Sequence, residues 1–174
     1  AESAQSANGC PDAPEICAAS SSGFQWFDLM DQTPEQILSK SLVAESKLNK
    51  LIDEVKEKNS LLANKIVIGG FSQGCMISLQ TGIKRKDTIN SIIGYSGRII
   101  DTAHLGKNIF SKPNIILMHG DIDQIVPVNS LLEAKDFFNK NNYKIDSQIF
   151  KNCEHRIPTE GSSLGLQFIK KHLS

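Results

Sequence analysis

Apolar residues follow two spacings along this chain, one typical of helices and one typical of short buried strands. Helical spacing begins after Thr33, whose hydroxyl can cap a helix, with Pro34 in its first position and Gln36 completing a capping box. It predicts a long helix that ends near Asn59. Further helices are predicted over 73–84, 129–139 and 159–172. Short apolar or alternating runs predict four strands, over 65–69, 91–97, 114–118 and 143–150.

Strands that alternate with helices indicate an α/β fold in which a mostly parallel sheet has helices on both of its faces. A length of 174 residues fits a single domain spanning 1–174. Residues 1–23 are rich in Ala, Ser, Gly and Pro, and the whole range 1–32 is predicted to be mostly loop. The core is therefore expected in residues 33–174.

Composition narrows the classes of partner. The 19 basic residues balance the 19 acidic ones, so nothing supports nucleic acid or an acidic membrane surface as a partner. No apolar run approaches the roughly 18 residues that cross a bilayer, and we expect no integral membrane segment. Four cysteines, Cys10, Cys17, Cys75 and Cys153, lack the spacing of a metal site, and the last two fall in apparent core segments. We therefore predict a cytoplasmic protein.

A G-x-S-x-G motif, Gly70–Gly74, lies between the first predicted strand and the helix that follows it. In this context the motif forms a nucleophile elbow, with Ser72 at the tip of a sharp turn. We expect that a Cβ on Gly70 or on Gly74 would collide with the neighbouring strand or helix. Ser72 would then stand at a helix N-terminus, where free N–H groups favour developing negative charge.

Candidate partners for this serine follow the later strands. A serine hydroxyl needs a nearby base, and the base needs a group that orients it. Asp121 and Asp123 follow the third predicted strand, and His155 follows the fourth. The carboxyl ends of parallel strands share one edge of a sheet, and the order Ser, Asp, His is that of α/β-hydrolases. The sequence thus predicts a triad of Ser72, one of the two aspartates, and His155.

Together these motifs resemble the phospholipase/carboxylesterase family, the group of small bacterial carboxylesterases and acyl-protein thioesterases. The resemblance spans about residues 11 to 173. Beside the elbow, the segments that carry it are Tyr95-Ser96-Gly97, His119 to Asp123, Val126-Pro127, His155-Arg156-Ile157, Pro11-Asp12-Ala13-Pro14 and Gln25-Trp26-Phe27.

The resemblance implies an α/β-hydrolase fold and the hydrolysis of esters or thioesters without a metal or another cofactor. It also implies that Asp123, which stands shortly before a Val-Pro pair, is the acid of the triad. The backbone N–H of Gln73 would donate to the oxyanion, and Ser72 would form an acyl-enzyme. Trp26 gains a role as a wall of the acyl pocket, beside the simpler interpretation that it anchors a surface loop.

One part of the family pattern has no counterpart in this sequence. The family takes a second oxyanion donor from a His-Gly loop that precedes the residues matching Ala1, whereas the only His-Gly pair here is His119-Gly120. Residues 1–10 are also too polar for the strand that the family has there. We therefore expect a sheet that lacks its N-terminal strands. Its exposed edge, strand 65–69, would be covered by the N-terminal segment or by a second copy of the chain in a homodimer.

Two classes of function are compatible with these patterns. The leading hypothesis is a serine carboxylesterase that acts on a small-molecule or lipid acyl ester through Ser72, His155 and Asp123. A thioesterase or a lysophospholipase would use the same triad. The other class is a catalytically impaired hydrolase remnant, because loss of one oxyanion donor typically lowers turnover by about 100- to 1,000-fold.

Overall fold

The computed structural model of the chain describes residues 9, 13–16, 24–30 and 32–173. Within them, the helices and strands follow in this order: β1 (Glu15–Ile16), β2 (Phe24–Gln25), α1 (Pro34–Lys58), β3 (Val67–Phe71), α2 (Gln73–Lys84), β4 (Ser91–Tyr95), α3 (Thr102–Gly106), β5 (Asn114–Gly120), α4 (Asn129–Lys140), β6 (Asp146–Phe150) and α5 (Thr159–Leu173). Cys10, Cys17 and the Pro11-Asp12 part of the family pattern lie outside the described residues.

Strands β3 to β6 form one sheet in the order β3-β4-β5-β6, and every neighbouring pair is parallel. The register pairs Phe71 with Tyr95 and Tyr95 with Met118, so the carboxyl ends of these strands lie side by side. Gly120 pairs with Phe150 at the end of β6. The segments that follow the four strands therefore meet at one edge of the sheet. The predicted parallel sheet is confirmed.

Alternate side chains of the central strands enter two separate hydrophobic cores. Ile92 and Leu117 pack in a core with residues of α1, α2 and α4. Their neighbours Ile93 and Met118 pack in a second core with Phe168 of α5. Because successive residues of a strand point to opposite faces, helices cover both faces of the sheet, as predicted.

The long helix α1 begins where the sequence predicts it. Gln36 N donates to Thr33 Oγ1 over 3.3 Å, and Thr33 N donates to Gln36 Oε1 over 2.9 Å, which completes the capping box. Ala44, Leu48 and Ile52 belong to its buried stripe and join the core that contains α2. Helix α1 has 25 residues. Neither it nor any other helix in the described part of the chain is long and apolar enough to cross a membrane.

Three short elements of the structure were not predicted from the sequence. Strands β1 and β2 pair antiparallel inside the range predicted to be mostly loop. Each has two residues, too few to show the alternation by which a strand is recognised. Helix α3 has five residues and lies between predicted elements. Its start is capped by the side chain of Asp101, which accepts from His104 N over 2.7 Å.

Candidate active site

Ser72 lies at the junction of β3 and α2 in a strained backbone conformation. Its φ of 54° and ψ of −117° belong to a region that residues with a side chain rarely adopt. Two hydrogen bonds hold this conformation: Ser72 N donates to Tyr95 O over 2.8 Å, and Met76 N donates to Ser72 O over 3.1 Å. The Ser72 hydroxyl does not cap α2, so it stays available to other partners.

The two glycines of the motif differ in their surroundings. A Cβ on Gly70 would stand 2.1 Å from Gly74 C, 2.2 Å from Gly74 O and 2.5 Å from Cys75 N. A Cβ on Gly74 would meet Trp26 Nε1 at 3.8 Å, which is an ordinary contact. The predicted collision is therefore confirmed at Gly70 and wrong at Gly74. The reason is that Gly74 is already the second residue of α2, outside the tightest part of the turn.

His155 and Asp123 come together from the loops after β6 and β5. His155 Nδ1 lies 2.8 Å from Asp123 Oδ2, and the Asp123 side chain is fully buried. Asp121, the other candidate acid, instead accepts from Cys153 N over 3.3 Å. The aspartate favoured by the family resemblance is thus the one in contact with the histidine.

Backbone and side-chain donors surround the Asp123 carboxylate. The N–H groups of Ile125 and Val126 each donate to Asp123 Oδ1 over 2.9 Å. Burial alone would raise the pKa of Asp123, but the hydrogen bond with His155 and these two N–H groups lower it below its usual value. His119 Nε2 donates to Val126 O over 2.8 Å and lies 3.5 Å from Asp123 Oδ2, so it supports the same loop. The ionised carboxylate accepts from His155 Nδ1, which leaves Nε2 of that ring for a second partner.

Gly120 lets the loop before α5 pass close to the end of β5. A Cβ on Gly120 would stand 2.0 Å from Cys153 O and 2.8 Å from Glu154 O. Any larger residue would push this loop outward. Because the loop continues directly into His155, the close approach helps to bring the imidazole to Asp123.

His155 also lies beside the elbow. Its ring centroid is 4.6 Å from that of Phe71, the residue before Ser72. In the described part of the chain, the only side-chain hydrogen bond of His155 is the one to Asp123. Catalytic hydrogen bonds are often long or poorly aligned before a substrate binds. The fold thus joins His155 to Asp123 and packs the His155 ring against Phe71, the residue before Ser72.

Gln73 and Trp26 meet on the other side of the elbow. Gln73 is the first residue of α2, where a backbone N–H has no partner within the helix and lies at the positive end of the helix dipole. Its side chain contacts the Trp26 loop: Oε1 accepts from Trp26 N, and Nε2 donates to Phe27 O, each over 3.0 Å. The half-buried Trp26 is therefore attached to the residue that follows the serine.

The groups gathered here suit nucleophilic and general-base chemistry. They are a hydroxyl, an imidazole, a buried carboxylate and backbone N–H groups at a helix N-terminus. Within residues 9, 13–16, 24–30 and 32–173, no group of three or more His, Cys, Asp or Glu side chains is placed to hold a metal ion.

Comparison with known proteins identifies the family. The phospholipase/carboxylesterase family model matches residues 6–174. The chain belongs to the phospholipase/carboxylesterase family. Family membership confirms the resemblance seen in the sequence, and with it a hydrolase that acts on ester bonds.

Relatives named acyl-protein thioesterases match most of the chain. Acyl-protein thioesterase 1 of Saccharomyces cerevisiae is 31% identical over 179 residues, which cover 94% of this chain and 77% of the relative. Acyl-protein thioesterase 1 homolog 1 of Dictyostelium discoideum is 27% identical, over 94% of this chain and 76% of the relative.

Solved structures agree with the fold. Esterase PE8 superposes with a TM-score of 0.87 at 28% identity, over 94% of this chain and 77% of that one. Arabidopsis thaliana SOBER1 superposes with a TM-score of 0.74 at 18% identity, over 94% of this chain and 81% of that one, a likeness that concerns the fold alone. The α/β-hydrolase fold predicted from the sequence is confirmed.

Three features of this site were not predicted from the sequence. The Phe71 ring and the Gln73 side chain gave no local signal, because their partners lie far along the chain; Trp26, for example, is 47 residues from Gln73. Gly120 did carry a signal, since a glycine at a strand end often marks a close approach of backbone.

Proposed function

We propose that the chain is a serine carboxylesterase with Ser72 as nucleophile, His155 as general base and Asp123 as the acid that orients the base. The observation that carries the proposal is the 2.8 Å contact between His155 Nδ1 and the buried Asp123 Oδ2, beside a serine in a strained turn. The contact between a buried carboxylate and an imidazole supports the proposal, because in a Ser-His-Asp triad the acid orients the base in this way.

The reaction follows from the tautomer that Asp123 imposes. With its proton on Nδ1, His155 can accept the Ser72 proton at Nε2 while Ser72 Oγ bonds to the carbonyl carbon of the ester. The tetrahedral intermediate collapses when the carbon–oxygen bond to the alcohol breaks, and His155 gives its proton to the departing alcohol. A water molecule then loses a proton to His155 and attacks the acyl-enzyme. Release of the carboxylic acid returns the proton to Ser72.

The negative charge that develops on the carbonyl oxygen needs a hydrogen-bond donor, and we assign this role to the backbone N–H of Gln73. It is the first backbone N–H of α2, directly after the nucleophile. For the acyl chain we assign Trp26 as one wall of the pocket, since its indole nitrogen lies 3.8 Å from the place that a Cβ on Gly74 would occupy. The substrate is then a small-molecule or lipid acyl ester.

A thioester substrate is the second candidate. The yeast and Dictyostelium relatives are named acyl-protein thioesterases, whereas PE8 is named an esterase. The same triad attacks either carbonyl, because only the leaving group changes from an alcohol to a thiol. Parallel assays with p-nitrophenyl butyrate and with butyryl-thiocholine rank the two classes by kcat/KM.

The decisive test asks whether Ser72 is activated. We expect a fluorophosphonate probe to label the wild type and the Ser163→Ala control, and to leave Ser72→Ala unlabelled. Ser163 is an exposed serine on α5 whose hydroxyl donates only to Thr159 O. The Ser72→Ala variant should also lose ester turnover, whereas the Ser163→Ala control should keep it. Turnover that survives Ser72→Ala, or folded wild type that takes no label, would contradict the proposal.

We also propose a cytoplasmic location. Cys75 and Cys153 are both buried free thiols, the state that a reducing compartment maintains. Fractionation of producing cells should recover the protein with the cytoplasmic markers. Recovery with secreted or periplasmic markers would contradict this proposal.

We also propose that the chain forms a homodimer. In the sheet formed by the described residues, β3 is an edge strand, and such edges are commonly paired or covered. Light scattering in solution should then give about twice the chain mass of 19.1 kDa. A monomer mass at micromolar concentration would refute it.

A further inference from the structure

The side chain of Gln73 makes two hydrogen bonds to consecutive residues of a distant loop. Oε1 accepts from Trp26 N over 3.0 Å, and Nε2 donates to Phe27 O over 3.0 Å. A backbone N–H can only donate and a carbonyl can only accept, so the orientation of the amide is fixed by its partners. The side chain therefore holds the loop at two points, as a neighbouring strand would.

The loop held in this way carries the residue assigned to the acyl pocket. Phe27 is fully buried and anchors the loop in the larger core. Trp26 is half-buried, and its Nε1 lies 3.8 Å from the place that a Cβ on Gly74, at the start of α2, would occupy. Because Gln73 follows Ser72 directly, its side-chain amide fixes the position of Trp26 relative to Ser72.

We infer that Gln73 is a positioning residue that sets acyl-chain selectivity by fixing Trp26, separately from the role of its backbone N–H. This inference rests on the proposed esterase function. The two roles belong to different atoms of one residue: a side-chain substitution removes the two loop hydrogen bonds and leaves the N–H of the peptide in place. Short acyl groups need only the N–H, whereas longer ones also need the wall.

Gln73→Met is the informative substitution, since methionine has nearly the same length and cannot make either hydrogen bond. The readout is the ratio of kcat/KM for p-nitrophenyl octanoate to that for p-nitrophenyl acetate. A loss of folded protein lowers both values equally and leaves this ratio unchanged. Burial of one methylene corresponds to about fourfold in an equilibrium or rate constant, so losing the wall over two methylenes should lower the ratio about 15-fold.

Three companion variants make the test specific. Trp26→Ala should lower the ratio as Gln73→Met does, and adding Gln73→Met to Trp26→Ala should change it by less than about twofold, because both act on the same wall. Gln148→Met makes the same substitution at an exposed position of β6 and should leave the ratio as in wild type. Among the described residues, the only side-chain hydrogen bond of Gln148 is the one to Ile149 O.

A measurement that needs no turnover separates this inference from the proposed function. Trp26 is the only tryptophan of the chain, so intrinsic fluorescence reports its surroundings alone. In the inactive Ser72→Ala background, Gln73→Met should shift the emission to longer wavelength and increase acrylamide quenching at least twofold.

A lower octanoate-to-acetate ratio of kcat/KM, together with increased quenching of Trp26 fluorescence, supports the inference. An unchanged ratio, an equal loss for both esters, or unchanged quenching in folded Gln73→Met overturns it. Wild-type protein that hydrolyses neither ester overturns the proposed function instead, and the fluorescence result then still decides whether Gln73 fixes Trp26.

Discussion

Substitution of the two elbow glycines by alanine should have very different effects. At Gly70 the new methyl group would stand 2.1 Å from Gly74 C, 2.2 Å from Gly74 O and 2.5 Å from Cys75 N. At Gly74 it would find Trp26 Nε1 at 3.8 Å. The same chemical change, four residues apart, thus collides with backbone atoms in one case and makes an ordinary van der Waals contact in the other.

The size of the effect follows from these distances. Carbon atoms in contact normally stand about 3.5–4.0 Å apart, so the methyl group on Gly70 overlaps three backbone atoms by about 1 Å or more. Backbone cannot rotate away as a side chain can, and α2 must shift relative to β3. Overpacking typically costs about 1–3 kcal/mol, and we expect Gly70→Ala to lose about 3 kcal/mol or more. For a domain of this size, that loss lowers Tm by about 6–12 °C.

Gly74→Ala is the matched control. Gly74 is the second residue of α2, where alanine has the higher helix propensity by up to about 1 kcal/mol. We therefore expect its Tm to equal that of the wild type or to exceed it slightly. Thermal melts of the three proteins, followed by circular dichroism at one concentration and pH, measure both predictions. Esterase assays at a temperature where all are folded show whether the shifted elbow still supports turnover.

Equal melting temperatures for the two alanine variants would refute the steric argument. That result would mean that the β3–α2 turn relaxes by an ångström at little cost. A Gly74→Ala variant less stable than Gly70→Ala would refute the assignment of the tight contact to Gly70.

Three further predictions concern charges and thiols. Asp123→Asn keeps an oxygen for the loop N–H groups but removes the acceptor at His155 Nδ1, so kcat for p-nitrophenyl esters should fall by about 10⁴-fold while the circular dichroism spectrum is preserved. Although partial burial opposes it, Arg85 holds the pKa of Asp87 at about 2. Because this folded-state pKa is depressed, Asp87→Asn should cost about 1 kcal/mol in urea unfolding at pH 7, a value reduced for its partial exposure. The difference from wild type should fade as pH drops from about 4 to about 2. Burial raises the pKa of Cys75 to about 12, so iodoacetamide at pH 8 should leave this thiol unmodified in native protein and modify it in urea. Peptide mapping measures both, and labelling of Cys75 in native protein would contradict its buried position.

Much of the fold could be predicted because its signals are local. The Thr33–Gln36 capping box lies within four residues, and α1 begins there in the structure. The strand–turn–helix context of Ser72 is also contiguous, and α2 begins at the expected Gln73. The triad candidates followed from one non-local rule, that segments after parallel strands meet at one edge of the sheet.

Other features could not be predicted because they depend on the path of the backbone in three dimensions. Without the family resemblance, local pattern does not distinguish Asp121 from Asp123, because they are two residues apart and chemically identical. In the structure the turn directs two N–H groups to Asp123 Oδ1 and brings Asp123 Oδ2 to His155. The contact of Gln73 with Trp26 joins the first residue of α2 to the segment that precedes α1. A sequence pattern records which residues could form such contacts, and packing selects among them.

The left-handed backbone of Ser72 has a consequence for how this protein changes under selection. A residue with a side chain in that region stores about 1–3 kcal/mol of strain, which glycine would largely relieve. The most stable residue at position 72 is therefore one that has no hydroxyl. Selection for thermostability alone would therefore favour loss of the proposed nucleophile. Variants that gain stability through a substitution at position 72 would lack the Ser72 hydroxyl.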